Sequence, residues 1–278
     1  MARTVRDAAT LLGAMTGIDT EDAATKGSKG KSHKDYTKFL DANGLKGTRI
    51  GVFRQFFGFL PQVDEVIEKA LEVLKKNGAI LIDPVKMETH DRAGRTENTV
   101  LMYELKADMK AYLKHRGPNT RMHTLKDLIE FNKKHAKEEM PYFGQELFLE
   151  AEEKGPLTDK EYLDALAANH RITRKEGIDA MMDKHNLDAL VSPTDSPAWL
   201  SDLVDGDHFV GGSSSLAAVA GYPHITVPAG FIWGLPVGIS FYGRAWSEPT
   251  LLKIAYGFEQ ATKARRAPKF LPTVDLKF

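Results

Sequence analysis

The stretch DGDHFVGGSSSL at residues 205–216 gathers the residue types of nucleophilic acyl transfer. A serine hydroxyl attacks a carbonyl carbon once a histidine removes its proton, and an aspartate keeps that histidine in the required tautomer. A hydrolase using Ser213 as nucleophile and His208 as base, with Asp205 or Asp207 behind it, is one reading of these residues. In the plainer reading the serines cap the short apolar helix that follows, while Gly211 and Gly212 let the backbone turn tightly. A His and a Ser this close in the chain reach catalytic geometry only when the fold constrains them, so capping is preferred.

Other chemistries find less. Ser28 and Lys31 match S-x-x-K, but in a polar stretch where nothing would desolvate the lysine, and the match is read as chance. The sequence has no G-x-S-x-G elbow, no phosphate-binding loop and no G-x-G-x-x-G. The nine histidines show no metal spacing, and His123 and His135 stand too far apart on one helix to share an ion. No metal and no cofactor are therefore expected. With no cysteine, thiolate catalysis and disulfides within these residues are excluded. The formal net charge is zero, which leaves no electrostatic footprint for nucleic acid or an anionic membrane surface. No window approaches the roughly 18 apolar residues of a spanning helix. The N-terminus lacks the apolar core of a signal peptide, so a cytoplasmic protein is expected.

SPTDSPAWLSD at 192–202 follows an apolar run. Pro193 and Pro197 stiffen it, and Trp199 offers a large amphipathic surface. Ligands of open α/β sheets sit beyond the C-terminal ends of strands, so a pocket wall is one reading and a packed Trp the other.

These residues need elements to hold them. Thr4 and the apolar positions Val5, Ala8, Ala9, Leu12 and Met15, closed by Gly17, predict a capped opening helix. Residues 18–46 are hydrophilic and read as a surface connection. A strand at 48–55, a helix at 63–78 and a buried strand at 79–85 make a βαβ unit. The helix carries Val63, Val66, Ile67, Ala70, Leu71 and Leu74 on one face. Residues 95–187 are charged and helical in pattern, with the best helix at 160–185. A strand at 187–193, a short helix within 211–223, two strands within 224–243 and a helix at 248–264 complete the chain. The fold class is α/β.

Three stretches resemble the C-terminal part of the amidase signature family: LDALVSPTDSPAW at 187–199, DLVDGDHFVGGSSSLAAVAGYPHITVPAGF at 202–231, and GLPVGISFYGRAWSE at 234–248. MPYFGQE at 140–146 adds a likeness to its bacterial peptide-amidase-like members. The resemblance implies a mixed β-sheet flanked by helices. It reads residues 1–278 as a single, incomplete amidase-type domain with a helix-rich insertion at 95–187. It further implies that Phe143, Gln145, Trp199, Asp202, Asp207 and His208 line the substrate cleft.

The family's triad is a Lys, a Ser on a cis peptide and a nucleophilic Ser, in a Gly/Ser-rich half that precedes a segment like MARTVRDAA. No stretch here matches that half, and Gly211–Ser215 resembles it only superficially. No catalytic residue is therefore carried over. The expectation is a C-terminal portion inactive by itself, taking a small amide or peptide-amide substrate only when an N-terminal half completes it. The alternatives are a non-catalytic interaction module or a homo-oligomer that buries the faces such a half would cover.

Overall fold

A computed structural model of the chain describes residues 1–92, 94–117 and 119–270. In chain order the helices are α1 (Val5–Met15), α2 (Pro61–Lys76), α3 (Glu97–His115), α4 (Leu125–Lys134), α5 (Ala136–Glu139), α6 (Glu146–Glu152), α7 (Lys160–His170), α8 (Asp179–His185), α9 (Ser214–Ala220) and α10 (Glu248–Thr262). The strands are β1 (Arg49–Phe53), β2 (Ile80–Val85), β3 (Ala189–Pro193), β4 (His224–Ile232) and β5 (Leu235–Tyr242). The chain forms two compact units. A sheet unit holds Met1–His90, Thr173–Asp202 and the residues from Asp207 onward; a helical unit holds Asp91–Ile172 and Leu203–Gly206.

The sheet runs β2-β1-β3-β5-β4. β1 is parallel to β2 and β3, whereas β5 is antiparallel to both β3 and β4. This is the mixed, helix-flanked sheet expected. One face carries Ile50, Val52, Ala189, Val191, Val227, Val237, Ile239 and Phe241 into the main core. The helical period of α2 brings Val63, Ile67, Ala70, Leu71 and Leu74 to that core, and α10 adds Leu251, Leu252, Ile254, Ala255 and Phe258. The opening helix α1 packs against α10. Thr4 caps it by accepting from the Asp7 N–H at 3.1 Å, and the Val5 N–H donates to Glu259 Oε1 at 2.8 Å.

Three local expectations change. Strand β2 is not buried: it pairs with β1 alone at the sheet edge, and Ile80 is 48% exposed. Residues 18–46 do more than connect, because Tyr36 and Leu45 are anchored in the main core. The helix at 160–185 is broken. After α7 the chain widens into a π-type segment, Arg171–Ile178, in which Gly177 leaves helical geometry (φ −110°, ψ −109°) before α8. The stretch at 95–187 is thus divided, its residues 173–187 belonging to the sheet unit.

In the helical unit α3 packs on α7 and α6, and α4 on α6. Val100, Tyr103, Tyr162 and Ala165 form one cluster; Met102, Leu125, Ile129 and Ala151 form another. Thr124 and Asp127 make a reciprocal capping box at the start of α4. The Tyr103 hydroxyl donates to Glu161 Oε2 at 2.8 Å, and that bond lifts its pKa to about 12. Tyr162 donates to Glu104 Oε1 at 2.8 Å, and burial first, then that carboxylate, lifts its pKa to about 12. Among the described residues no helix is long and apolar enough to cross a membrane.

Candidate functional site

The loop after β3 is held at its neck by main-chain bonds. Thr194 N–H donates to the Gly238 carbonyl at 3.0 Å, Ser213 N–H to Thr194 O at 3.0 Å, and Ser196 N–H to Gly211 O at 3.3 Å. Asp195 and Gly212 form an isolated antiparallel bridge. Gly211 is required here because a Cβ would lie 2.5 Å from Phe59 Cγ. The two ends of the loop, 194–196 and 211–213, are thereby clamped together at the C-terminal end of a buried strand, where α/β sheets place ligands.

Ser213 belongs to that clamp. It is fully buried, and its hydroxyl donates to the Pro193 carbonyl at 2.6 Å. A nucleophile must present its oxygen to substrate and its proton to a base. Ser213 gives its proton to the backbone, while His208 is exposed. The Ser–His reading therefore has no geometric support. The capping reading is corrected too, since Ser213 occupies the N-cap position of α9 without a side-chain bond to the helix.

The six expected cleft residues are split between the units. In the sheet unit the Trp199 indole N–H donates to the Asp207 carboxylate, and the Trp199 ring meets Phe209 edge-on at 6.2 Å. This clasp joins Trp199 to Asp207 and fixes the indole. Asp202 is half-buried, and His208 is exposed. In the helical unit Phe143 is 80% exposed. Gln145 is occupied at both ends: its Oε1 accepts from Asn132 Nδ2 at 3.0 Å, and its Nε2 donates to Ile129 O at 3.2 Å.

Sequence reasoning missed a hydroxyl trio beside the clamp. Thr194 Oγ1 bonds Thr226 Oγ1 at 2.6 Å and Ser240 Oγ at 2.8 Å. Gly238 makes room, because a Cβ there would lie 2.6 Å from Thr226 Oγ1 and 2.7 Å from Thr194 Oγ1. Alternation within the strands was the available signal, since Ser192 and Thr194 share one side of their chain, as do Ser240 and Tyr242 of β5. Near the start of β4, burial holds the His224 imidazole below its ordinary pKa. The Tyr222 hydroxyl donates to Asp179 Oδ2 at 2.8 Å, and burial with that carboxylate lifts its pKa to about 12. Among the described residues no group of three His, Cys, Asp or Glu side chains is placed to hold a metal ion.

The amidase family profile matches residues 1–252. This chain belongs to the amidase signature family. A probable amidase of Arabidopsis thaliana is 36% identical over 98% of this chain and 49% of its own length. A putative amidase of Schizosaccharomyces pombe is 31% identical over 97% of this chain and 50% of its own. Among solved structures, the peptide amidase PAM bound to the competitive inhibitor chymostatin superposes with a TM-score of 0.92 at 45% identity, covering 97% of this chain and 55% of that one. The native peptide amidase of Stenotrophomonas maltophilia gives 0.88 at 44%, covering 97% and 54%. The chain thus spans about half the length of the amidases it matches.

Proposed function

We propose that this chain supplies the substrate-side portion of an amidase-signature hydrolase acting on carboxamide C–N bonds, and that the Lys, cis-peptide Ser and nucleophilic Ser of the reaction are not among its 278 residues. The observation that carries the reading is the likeness to an inhibitor-bound peptide amidase across 97% of the chain. In support, among the described residues no lysine amine hydrogen-bonds a serine hydroxyl, and Ser213 is committed to the backbone. The chemistry is attack by a serine on the amide carbonyl, loss of ammonia or an amine, and hydrolysis of the acyl-enzyme by water. In this reading Trp199, held by Asp207 and Phe209, forms an apolar wall beside the scissile amide, with Asp202 and His208 as further lining. The substrate class is a small amide or peptide amide.

Ammonia release from a C-terminally amidated dipeptide tests this. The purified chain by itself shows no turnover. Joined to the preceding half of the Stenotrophomonas peptide amidase it gains turnover, and Ser213→Ala leaves that turnover in place. Trp199→Ala in the joined protein raises KM roughly tenfold, about 1.4 kcal/mol of lost binding, with kcat little changed. Turnover by the isolated chain that vanishes on Ser213→Ala overturns the proposal.

A further inference from the structure

One face of the sheet carries a run of polar side chains that the proposed reaction does not use. The strand register sets them in rows. Tyr242 lies between Leu190 and His224, and Ser240 lies between Ser192 and Thr226. Thr194 follows, opposite Gly238. The outer end of this run is satisfied, because Thr226, Thr194 and Ser240 bond one another and Thr226 reaches the surface.

The inner end is different. Ser192 Oγ, the Tyr242 hydroxyl and His224 Nε2 are all sealed from solvent, and none has a hydrogen-bond partner among the protein's own groups. Ser192 and Tyr242 are wholly buried residues. Their hydroxyls lie diagonally across the β3–β5 register, near enough for Ser192 to temper the rise that burial gives the Tyr242 phenol, but without the geometry of a full hydrogen bond. The His224 ring stacks on Tyr242 with centroids 5.7 Å apart and 24° between planes. Buried polar groups are almost always paired, so three orphans meeting on neighbouring strands need an explanation.

We propose that this inner end is a binding site for resident water, one or more molecules bridging Ser192 Oγ, the Tyr242 hydroxyl and His224 Nε2 and extending the Thr226–Thr194–Ser240 run into the protein. The chemistry of the lining selects water. A hydroxyl, a phenol and an imidazole together offer donors and acceptors, which one small amphoteric ligand can serve at once. Burial holds His224 in its neutral form and Tyr242 in its protonated form, so the lining carries no charge that would hold an ion. The site ties β3, β5 and β4 together on the face opposite the main core.

Oxygen-17 magnetic relaxation dispersion on the full chain, which detects water with a long residence time, tests this directly. The wild type shows at least one such water. The double variant Ser192→Ala/Tyr242→Phe loses it. In thermal unfolding Tyr242→Phe lowers Tm by about 2–4 °C, Ser192→Ala lowers it by a similar amount, and the double variant loses less than the sum. A hydroxyl that is truly unpaired behaves in the opposite way, because removing it relieves desolvation. An unchanged or raised Tm in Tyr242→Phe therefore overturns the proposal. So does a wild type without long-lived water, or a double variant with undiminished dispersion. If the double variant fails to fold, Tyr242→Phe by itself lowers the dispersion amplitude, and an undiminished amplitude overturns the proposal.

Discussion

In the sheet unit, the fully buried polar side chains around the β3 end are neutral hydroxyls. Ser213 bonds a strand-end carbonyl, and Thr194 bonds two hydroxyls on neighbouring strands. In the helical unit several polar contacts carry charge and stay close to water. Tyr103 and Tyr162 donate to glutamates, and Lys106 donates to the Glu152 and Lys154 carbonyls at 2.5 and 2.8 Å. Glu161 keeps 58% of its side chain in solvent, and Lys106 keeps 34%. Sealing a charge costs far more than sealing a hydroxyl, so the charged contacts belong where water remains in reach. The two kinds of contact respond differently to loss. A sealed carbonyl that loses its donor has nothing to replace it, whereas a carboxylate near the surface turns to solvent.

The apolar core sets the upper end of that comparison. Phe241 is fully buried and meets Phe258 edge-on at 5.9 Å. Phe241→Ala should cost about 3–5 kcal/mol in urea unfolding, by lost burial and the cavity left behind. Ser213→Ala comes next. It leaves the Pro193 carbonyl without its hydroxyl donor in a site closed to solvent, and about 1–3 kcal/mol should go. Tyr162→Phe should cost only about 1 kcal/mol, because Glu104 recovers water. Equal losses for Ser213→Ala and Tyr162→Phe would break the contrast between the units. Thr124→Ala, which removes the capping box of α4, should cost about 1 kcal/mol and lower helical content in that unit alone.

The smallest effect is a pH dependence confined to the sheet unit. His224 has a folded pKa below its unfolded value of about 6.5, because burial disfavours the imidazolium. As pH falls through about 6.5 the unfolded chain takes up a proton that the folded chain refuses, so stability declines and reaches its lower level below the folded pKa. His224→Phe should flatten the Tm between pH 7.5 and 5.5 relative to wild type. A wild-type Tm that does not fall over that range would count against a buried neutral His224.

Periodicity made most of the elements legible. The capped α1, the five-residue buried face of α2, β3 and the β4–β5 hairpin follow from spacing, caps and turn residues, which act within a few positions of the chain. The same local signals misread β2. Its apolar residues cannot tell whether a further strand covers them, and β2 lies at an edge. They also carried one helix through Gly177, where the backbone departs from helical geometry. At the candidate site, residue types offered Ser213 as a nucleophile, and its geometry gives that reading no support. Ser213 has the neighbours of a nucleophile in sequence, yet its proton belongs to Pro193 O.

By itself the amino-acid order determined the α/β class, the core-facing stripes and the likeness to the amidase signature family. Those depend on which residues stand three, four or two positions apart, and a linear string records that completely. Only the tertiary structure decided that Trp199 is clasped by Asp207, that Gln145 is spent on helix packing, and that Ser192, Tyr242 and His224 lie on neighbouring strands with buried polar atoms left without partners. Each depends on which distant segments the strand register and loop closure bring within a few ångströms, and no local periodicity encodes that distance.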